Sequence, residues 1–215
     1  MMVIPHNDLV LLRAEIAARA ARLIAEDGAD YGTAKRKALR LVLGDDQAPP
    51  RLLPDNAEIE DEVRKYQALF QGDSQPARLR ALRELALQVM EQLDQFRPYL
   101  TGAALNGTAG EHDDVHLQLF ADSAKDVIIF LLDRDVHIEI SATPHFKGAR
   151  HDPVETVSFH WRKQQVHAEL YELNDQRGAL KPRADGRPQR ADIQAVRAML
   201  AAADDSPTPE TDEKK

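Results

Sequence analysis

The segment Leu105–Phe120, LNGTAGEHDDVHLQLF, carries residue types that could bind a phosphate and a metal ion. Its small-residue turn, Gly107–Gly110, would expose backbone N–H groups and let an oxyanion approach closely. The residues after the turn alternate between polar and apolar, which places the side chains of Asp114 and His116 on one face of a strand. This pattern predicts a phosphate-binding turn beside a carboxylate and an imidazole, and a tight turn between two strands is the alternative.

A second carboxylate could complete a metal site in this arrangement. Glu139 lies between Ile138 and Ile140 on a later predicted strand and could project to the same face as Asp114. Carboxylates and an imidazole around a phosphate-binding turn are a plausible set of ligands for a divalent metal. The predicted nucleotide-binding residues of the turn are Gly107, Thr108 and Gly110.

A basic segment further along the chain could supply cations for the same ligand. The stretch Asp175–Asp192 contains two glycines and five basic residues, among them Arg177 and Lys181. A mobile loop with such side chains could close on a nucleoside triphosphate or on RNA. We include Arg177 and Lys181 among the predicted nucleotide-binding residues, and a solvated loop is the alternative.

Composition limits the class of protein. The chain has 215 residues, is 43% hydrophobic and carries a net charge of −8. It is long enough to bury a core, and its acidic balance argues against a dedicated nucleic-acid or membrane-surface binder, which usually carries a basic stripe. It contains no cysteine, which excludes disulfides, thiolate zinc sites and cysteine nucleophiles.

The beginning of the sequence, MMVIPHNDLVLL, lacks the basic region and the cleavage site of a signal peptide. No apolar run approaches the length of about 18 residues that a transmembrane helix needs. We therefore expect a cytoplasmic protein of bacterial type, without a membrane partner.

The elements that must position these residues fall into two regions. Residues 1–96 show apolar side chains at helical spacing and are predicted to form four helices. Helix-capping residues, glycines and prolines mark their starts and ends at Asn7 or Asp8 to Gly28, Thr33 to Gly44, Asp55 to Gly72, and Ser74 to Pro98. The first two helices carry several arginines and lysines, which could meet a nucleic acid or an acidic partner, and a solvated helix face is the preferred interpretation.

After Pro98 the period changes toward two. Strands are predicted at 99–105, 114–120 and 136–141, followed by a hairpin of ETVSFHW and QVHAELYEL. Helices are predicted near 122–134 and 191–203, and a buried strand is the alternative for the run VIIFLL. Residues 204–215 have the composition of a disordered tail. The sequence therefore predicts an α+β protein: a helical region at 1–96, then a mixed sheet with helices packed on it at 97–203.

From Leu79 to Ala142 this order of parts resembles the polymerase-beta-type nucleotidyltransferase fold. That family has a Gly-Ser or Gly-Thr turn, a strand that begins Asp-x-Asp, and a later strand with a third acid. Here Gly107-Thr108 stands in the turn position, Asp114-Val115-His116 in the Asp-x-Asp position, and Glu139 in the third-acid position. The resemblance implies catalytic roles for Asp114, His116 and Glu139, and Mg²⁺ or Mn²⁺ held by Asp114 and Glu139.

The second acid of that motif is replaced by His116, and imidazole suits zinc or another transition metal better than magnesium. His116 would then support the metal or take a proton from the acceptor hydroxyl. A degenerate, non-catalytic version of the fold is the alternative.

A second, local resemblance concerns the ATP loop of the UDP-N-acetylmuramate–amino-acid ligases, which reads Gly-Thr-x-Gly-Lys-Thr. Gly107, Thr108 and Gly110 match it, but Glu111 and His112 replace the lysine and the threonine. The cation that faces the phosphates and the hydroxyl that binds magnesium are then missing. We regard this resemblance as spurious.

Two functional classes follow from the sequence. The first is a nucleotidyltransferase-like protein that binds a nucleotide and a divalent metal, with an unknown substrate. The second is a non-catalytic interaction or scaffold protein whose helical region binds a protein partner or a second copy. The two differ in one geometric expectation: the first requires Asp114, His116 and Glu139 to converge on an open face.

Overall fold

The computed structural model describes residues 6–44, 50–179, 183 and 185–204. Within them the chain forms seven α-helices and a five-stranded mixed sheet, which confirms the α+β class. The chain divides into two compact units. The helical unit comprises Met1–Leu79 with Asn106–Asp113, and the sheet unit comprises Arg80–Leu105 with Asp114–Lys215.

The elements follow the predicted order closely. The helices are α1 (His6–Asp27), α2 (Tyr31–Leu43), α3 (Asn56–Phe70), α4 (Gln75–Gln92), α5 (Gly102–Asn106), α6 (Ala124–Leu132) and α7 (Ile193–Asp204). The strands are β1 (Tyr99–Thr101), β2 (Val115–Ala121), β3 (Ile138–Thr143), β4 (Val154–Trp161) and β5 (Gln164–Glu172). Short 3₁₀ turns occupy Pro50–Leu52, Asp94–Phe96 and Leu173–Ala179.

In the helical unit, α1, α2 and α3 share one apolar core. Small residues dominate where α1 and α2 meet, among them Ala20 and Ala38, each fully buried. Small side chains let the two helices approach closely, and Ile59 and Val63 of α3 close the same core. The spacing of these residues at three and four positions explains why this part of the chain is helical.

Capping side chains fix the helix starts. Asp55 accepts a hydrogen bond from the backbone N–H of Glu58, whose side chain accepts one from the N–H of Asp55, so α3 begins with a capping box. The start of α2 differs from the prediction: Asp30 is the cap and accepts from the N–H of Thr33, which lies inside the helix.

The sheet has the strand order β1-β2-β5-β4-β3. β2 and β5 are parallel, and every other neighbouring pair is antiparallel. Alternation places Leu117, Ala168 and Val157 in register on a buried face, against which α6 packs. The opposite face carries the polar side chains of His116, His167 and Ser158 and the aromatic side chains of Tyr99, Phe120 and Tyr171.

The predicted domain boundary at residue 96 differs from the division into compact units. Residue 80, inside α4, begins the sheet unit, and Asn106–Asp113 returns to the helical unit. The predicted strand at 99–105 is also shorter than expected. β1 ends at Thr101 because Gly102, with a φ of +69°, turns the chain into α5.

No helix in the described part of the chain combines the length and the apolar character that crossing a membrane requires. The predicted disordered tail from residue 205 onward lies outside the described residues.

Gly28, which follows α1, provides a test of packing in the helical unit. Its φ is +64°, and an added Cβ would lie 2.6 Å from the Cβ of His112. We expect Gly28→Ala to lower the free energy of unfolding by about 3 kcal/mol, because backbone strain and steric overlap add. Urea unfolding followed by circular dichroism measures this change.

The steric part can be separated from the backbone part. In a His112→Gly background, Gly28→Ala should cost less, because the overlapping atom is gone. Gly148→Ala is the control for the backbone part alone, since Gly148 has a φ of +98° and open space around it. Equal costs of Gly28→Ala in both backgrounds would contradict the packing described here.

Candidate functional site

The predicted phosphate-binding turn lies inside the helical unit. Thr108 is 2% exposed and Ala109 is fully buried, and Gly110 is buried as well. Gly107 has a φ of +82°, which lets the chain reverse direction there. The hydroxyl of Thr108 is therefore not at an open surface where a nucleotide could meet it.

Backbone carbonyl groups of this turn accept hydrogen bonds from side chains of α3 and α4. Gln67 Nε2 donates to the carbonyl oxygen of Thr108 at 2.7 Å, and Gln75 Nε2 donates to that of Ala109 at 2.9 Å. Arg64 and Arg78 donate to further carbonyl groups. The full set of accepting carbonyls is Asn106, Gly107, Thr108, Ala109, Gly110, Glu111 and Asp113.

The turn closes on itself at its far end. The backbone N–H of Gly110 donates to Asp113 Oδ2 at 2.8 Å, so a carboxylate of the protein takes the place that a phosphate oxygen would need at this amide. We call Asn106–Asp113 the clasp, because its carbonyl groups attach it to α3 and α4. These hydrogen bonds within the protein explain the conformation of the clasp.

Asp114, the first residue after the clasp, lies on the polar face of the sheet unit. Gln164 Nε2 donates to Asp114 Oδ1 at 2.8 Å, and His167 Nε2 lies 3.3 Å from Asp114 Oδ2. The ring of His116 stacks on that of His167, with centroids 5.0 Å apart. His167 of β5 thus contacts both Asp114 and His116, which lie on the face where sequence alternation placed them.

Ser158 of β4 extends this cluster. Its Oγ lies 2.8 Å from His167 Nδ1. A carboxylate only accepts hydrogen bonds, so His167 must carry its proton on Nε2 to bond Asp114. The Ser158 hydroxyl then donates to Nδ1 when the ring is neutral. Asp114, His167 and Ser158 form a hydrogen-bonded chain that can hold a proton, and its members come from three separate parts of the sequence.

Glu139 does not join this cluster. The strand register pairs His116 with His167, His167 with Ser158, and Ser158 with Glu139, so all four lie in one row on the same face. Three inter-strand steps of about 4.8 Å separate His116 from Glu139, a distance of about 14 Å. Among the described residues, no group of three or more metal-ligating side chains is placed to hold an ion.

The row lies on an open strand face rather than in a deep cleft. The side chains of Asp114 and His167 are 36% and 28% exposed. Small-molecule sites are usually concave and bury most of their ligand. Sequence alternation places the side chain of His167 on one face of β5. It does not show that β5 pairs with β2 and β4.

The predicted basic loop is only partly described. Arg177 is exposed on the 3₁₀ turn Leu173–Ala179, and Lys181 lies outside the described residues. Arg190, from the same segment, is 8% exposed and stacks its guanidinium over the rings of Tyr99 and Phe120, at 4.4 and 4.9 Å. Burial lowers the pKa of Arg190. Arg190 therefore serves packing rather than a mobile loop.

A cleft of about 460 Å³ lies where β2 and the parallel strand β5 both end. His145 lines it, accepts from the N–H of Lys147 on Nδ1, and lies 3.3 Å from Asp175 through Nε2. Burial raises the pKa of Asp175, but hydrogen bonds from Lys147 and His145 outweigh it and hold that pKa below its usual value. This cluster, which the sequence did not reveal, stabilises the loop after β3.

No protein-family model matches this chain, and a search of the curated proteins finds no significant match. The functional conclusion therefore depends on the geometry described above.

The hydrogen bonds of His167 predict which of its ring nitrogens carries the proton. We expect its neutral ring to carry the proton on Nε2, and Asp114→Ala to allow the other tautomer, since the acceptor for Nε2–H is then lost. Long-range ¹H–¹⁵N correlation spectra of the imidazole nitrogens distinguish the two forms. Glu155→Ala, an exposed change on β4, should leave the spectrum of His167 unaltered, and a ring protonated on Nδ1 in the unmodified protein would exclude this arrangement.

Proposed function

We propose that this chain is a non-catalytic interaction protein whose helical unit contacts a partner, and that the partner is a second copy of the chain. The observation that carries the proposal is the exposure of large apolar side chains on this unit. Leu69 is 76% exposed, Phe70 69% and Leu11 68%. Among the described residues of the helical unit, the large apolar side chains that are exposed are Val10, Leu11, Leu41, Leu53, Leu69 and Phe70.

Two parts of the helical unit carry this surface. At the end of α3, the ring of Phe70 lies 4.7 Å from that of Tyr66, and Leu69 is its neighbour in the chain. Val10 and Leu11 lie in the first turns of α1. Contiguous apolar patches on a protein surface often mark an interface, and two-fold homodimers are the commonest assemblies of soluble proteins.

The charges of α1 support a protein partner rather than a nucleic acid. Arg13 forms a bidentate ion pair with Glu58 of α3. Arg19 and Arg22 form ion pairs within α1 with Glu15 and Glu26. These carboxylates neutralise the arginines that would otherwise attract a phosphate backbone, which the net charge of −8 already disfavours.

Size-exclusion chromatography with light scattering over a broad range of protein concentrations tests self-association. We expect a dimer that dissociates on dilution. The double variants Leu11→Ser/Leu41→Ser and Leu69→Ser/Phe70→Ser each remove exposed apolar surface from the helical unit. At least one should weaken the dimer about tenfold or more, because burying a leucine contributes roughly 2 kcal/mol.

A matched control comes from the sheet unit. Ile129 and Leu132 of α6 are 54% and 52% exposed, and Ile129→Ser/Leu132→Ser should leave the dimer intact. A protein that is monomeric at every concentration would exclude the second copy as the partner. A dimer sensitive only to the α6 variant would place the interface on the other unit.

The nucleotide hypothesis is a separate proposal with its own test. It would require a ligand to bind at Gly107 and Thr108 with a metal on Asp114. Since Thr108 is buried and the clasp is attached to α3 and α4, we expect ATP, CTP, GTP and UTP to give no heat of binding in calorimetry, with or without Mn²⁺. Metal-dependent binding that disappears in Asp114→Ala would instead restore the nucleotidyltransferase-like interpretation.

A further inference from the structure

Ser158 has the hydrogen-bond partners that make a serine hydroxyl nucleophilic. Its Oγ lies 2.8 Å from Nδ1 of His167, and Nε2 of the same ring lies 3.3 Å from Asp114 Oδ2. The tautomer that donates to Asp114 leaves a lone pair on Nδ1, which accepts the hydroxyl proton of Ser158. A hydroxyl beside a neutral imidazole that a carboxylate orients is the arrangement that activates serine for attack on a carbonyl carbon.

The strand register holds these groups at a fixed spacing. His116, His167 and Ser158 are neighbours in one row across β2, β5 and β4, and the ring of His116 stacks on that of His167. Asp114 is held at its other oxygen as well, because Gln164 Nε2 donates to Oδ1 at 2.8 Å. Paired strands keep their side chains at a constant separation, so the imidazole and the hydroxyl are already placed for proton transfer.

Ser158 can also be reached from solvent. Its side chain is half-buried, and the side chains of His167 and Asp114 are 28% and 36% exposed. Because the face is open, the protein offers an incoming molecule little surface for binding. The reactivity of the hydroxyl must then be matched by a partner that is itself reactive.

We infer that Ser158 accepts an acyl group from an activated acyl donor, such as an acyl phosphate, a thioester or an aryl ester. Ser158 Oγ forms a bond to the acyl carbon, and the bond from that carbon to the leaving oxygen or sulfur breaks. The hydroxyl proton passes to Nδ1 of His167, and the leaving group departs as an anion with the electron pair. Asp114 stabilises the imidazolium until it releases its proton to water.

The product is an ester on the protein. The event is therefore a covalent modification that needs no turnover, and it is compatible with an interaction protein.

Incubation of the full-length protein with p-nitrophenyl acetate tests this inference. The release of p-nitrophenolate gives the rate, and peptide mass spectrometry locates the acetyl group. We expect an initial burst of about one equivalent of p-nitrophenolate and an acetyl group on Ser158. The chain contains no cysteine, so no thiol competes for the ester. The same reaction with the protein unfolded in urea measures the background of amines and unactivated hydroxyls.

Ser141 provides the matched control. It is exposed on β3, on the same face as Ser158, and its register partner is Thr156 rather than a histidine. Ser158→Ala should abolish the burst, whereas Ser141→Ala should leave it unchanged. His167→Gln should slow the acetylation of Ser158 about a hundredfold, a factor that general-base catalysis commonly provides.

Asp114 acts through His167, so its test needs a readout on the ring. Asp114→Asn should slow the acetylation of Ser158 about tenfold, because a charge-assisted hydrogen bond to the ring is lost. It should also alter the tautomer of His167 in long-range ¹H–¹⁵N spectra, which a purely structural role of Asp114 would not do. Circular dichroism confirms that each variant is folded.

Acetyl groups confined to amines, or Ser158 acetylated no faster than Ser141, would overturn the inference. So would acetylation of Ser158 that His167→Gln does not slow, or that the unfolded protein reproduces. Self-association is measured on the unmodified protein, so the outcome of this experiment is independent of the interaction surface on the helical unit.

Discussion

Buried backbone carbonyl groups need hydrogen-bond donors, and this requirement determines how the segment Asn106–Asp113 packs against α3 and α4. The clasp, Asn106–Asp113, enters the helical unit with its carbonyl oxygens turned toward α3 and α4. Gln67, Gln75 and Arg78 provide the donors, because their long side chains can reach a backbone that is not part of their own helices. Small residues in the turn allow that approach, and the same residues are the basis of the predicted phosphate-binding turn.

The division between the two units falls directly after the clasp, and β2 begins at Val115. Asp113 still belongs to the helical unit through its bond with the N–H of Gly110, and Asp114 already belongs to the sheet unit. Asp114 lies beside His167, with its Oδ2 3.3 Å from Nε2. The carboxylate, the imidazole and the Ser158 hydroxyl satisfy one another across adjacent strands, which stabilises the polar face.

The two faces of the sheet differ in the interactions that stabilise their side chains. On the polar face the side chains find partners in neighbouring strands. On the apolar face the helices leave a space beside Trp161, whose N–H lacks a partner within the described residues. An unfilled volume and an unpaired donor each cost stability.

The sequence by itself determined the helices and the strands of this protein, because both depend on local patterns. Apolar spacing of three and four placed α1 to α4, alternation placed β2, β4 and β5, and capping residues such as Asp55 and Ser123 fixed several starts. Alternation also put Asp114 and His116 on one face. Only the tertiary structure decided which strands are neighbours. Glu139 has the right face but lies three strands away, whereas His167 and Ser158 have the right face and the right neighbours. Strand order and the packing of the clasp depend on contacts between residues that are distant in the chain, and a local pattern carries no information about such contacts.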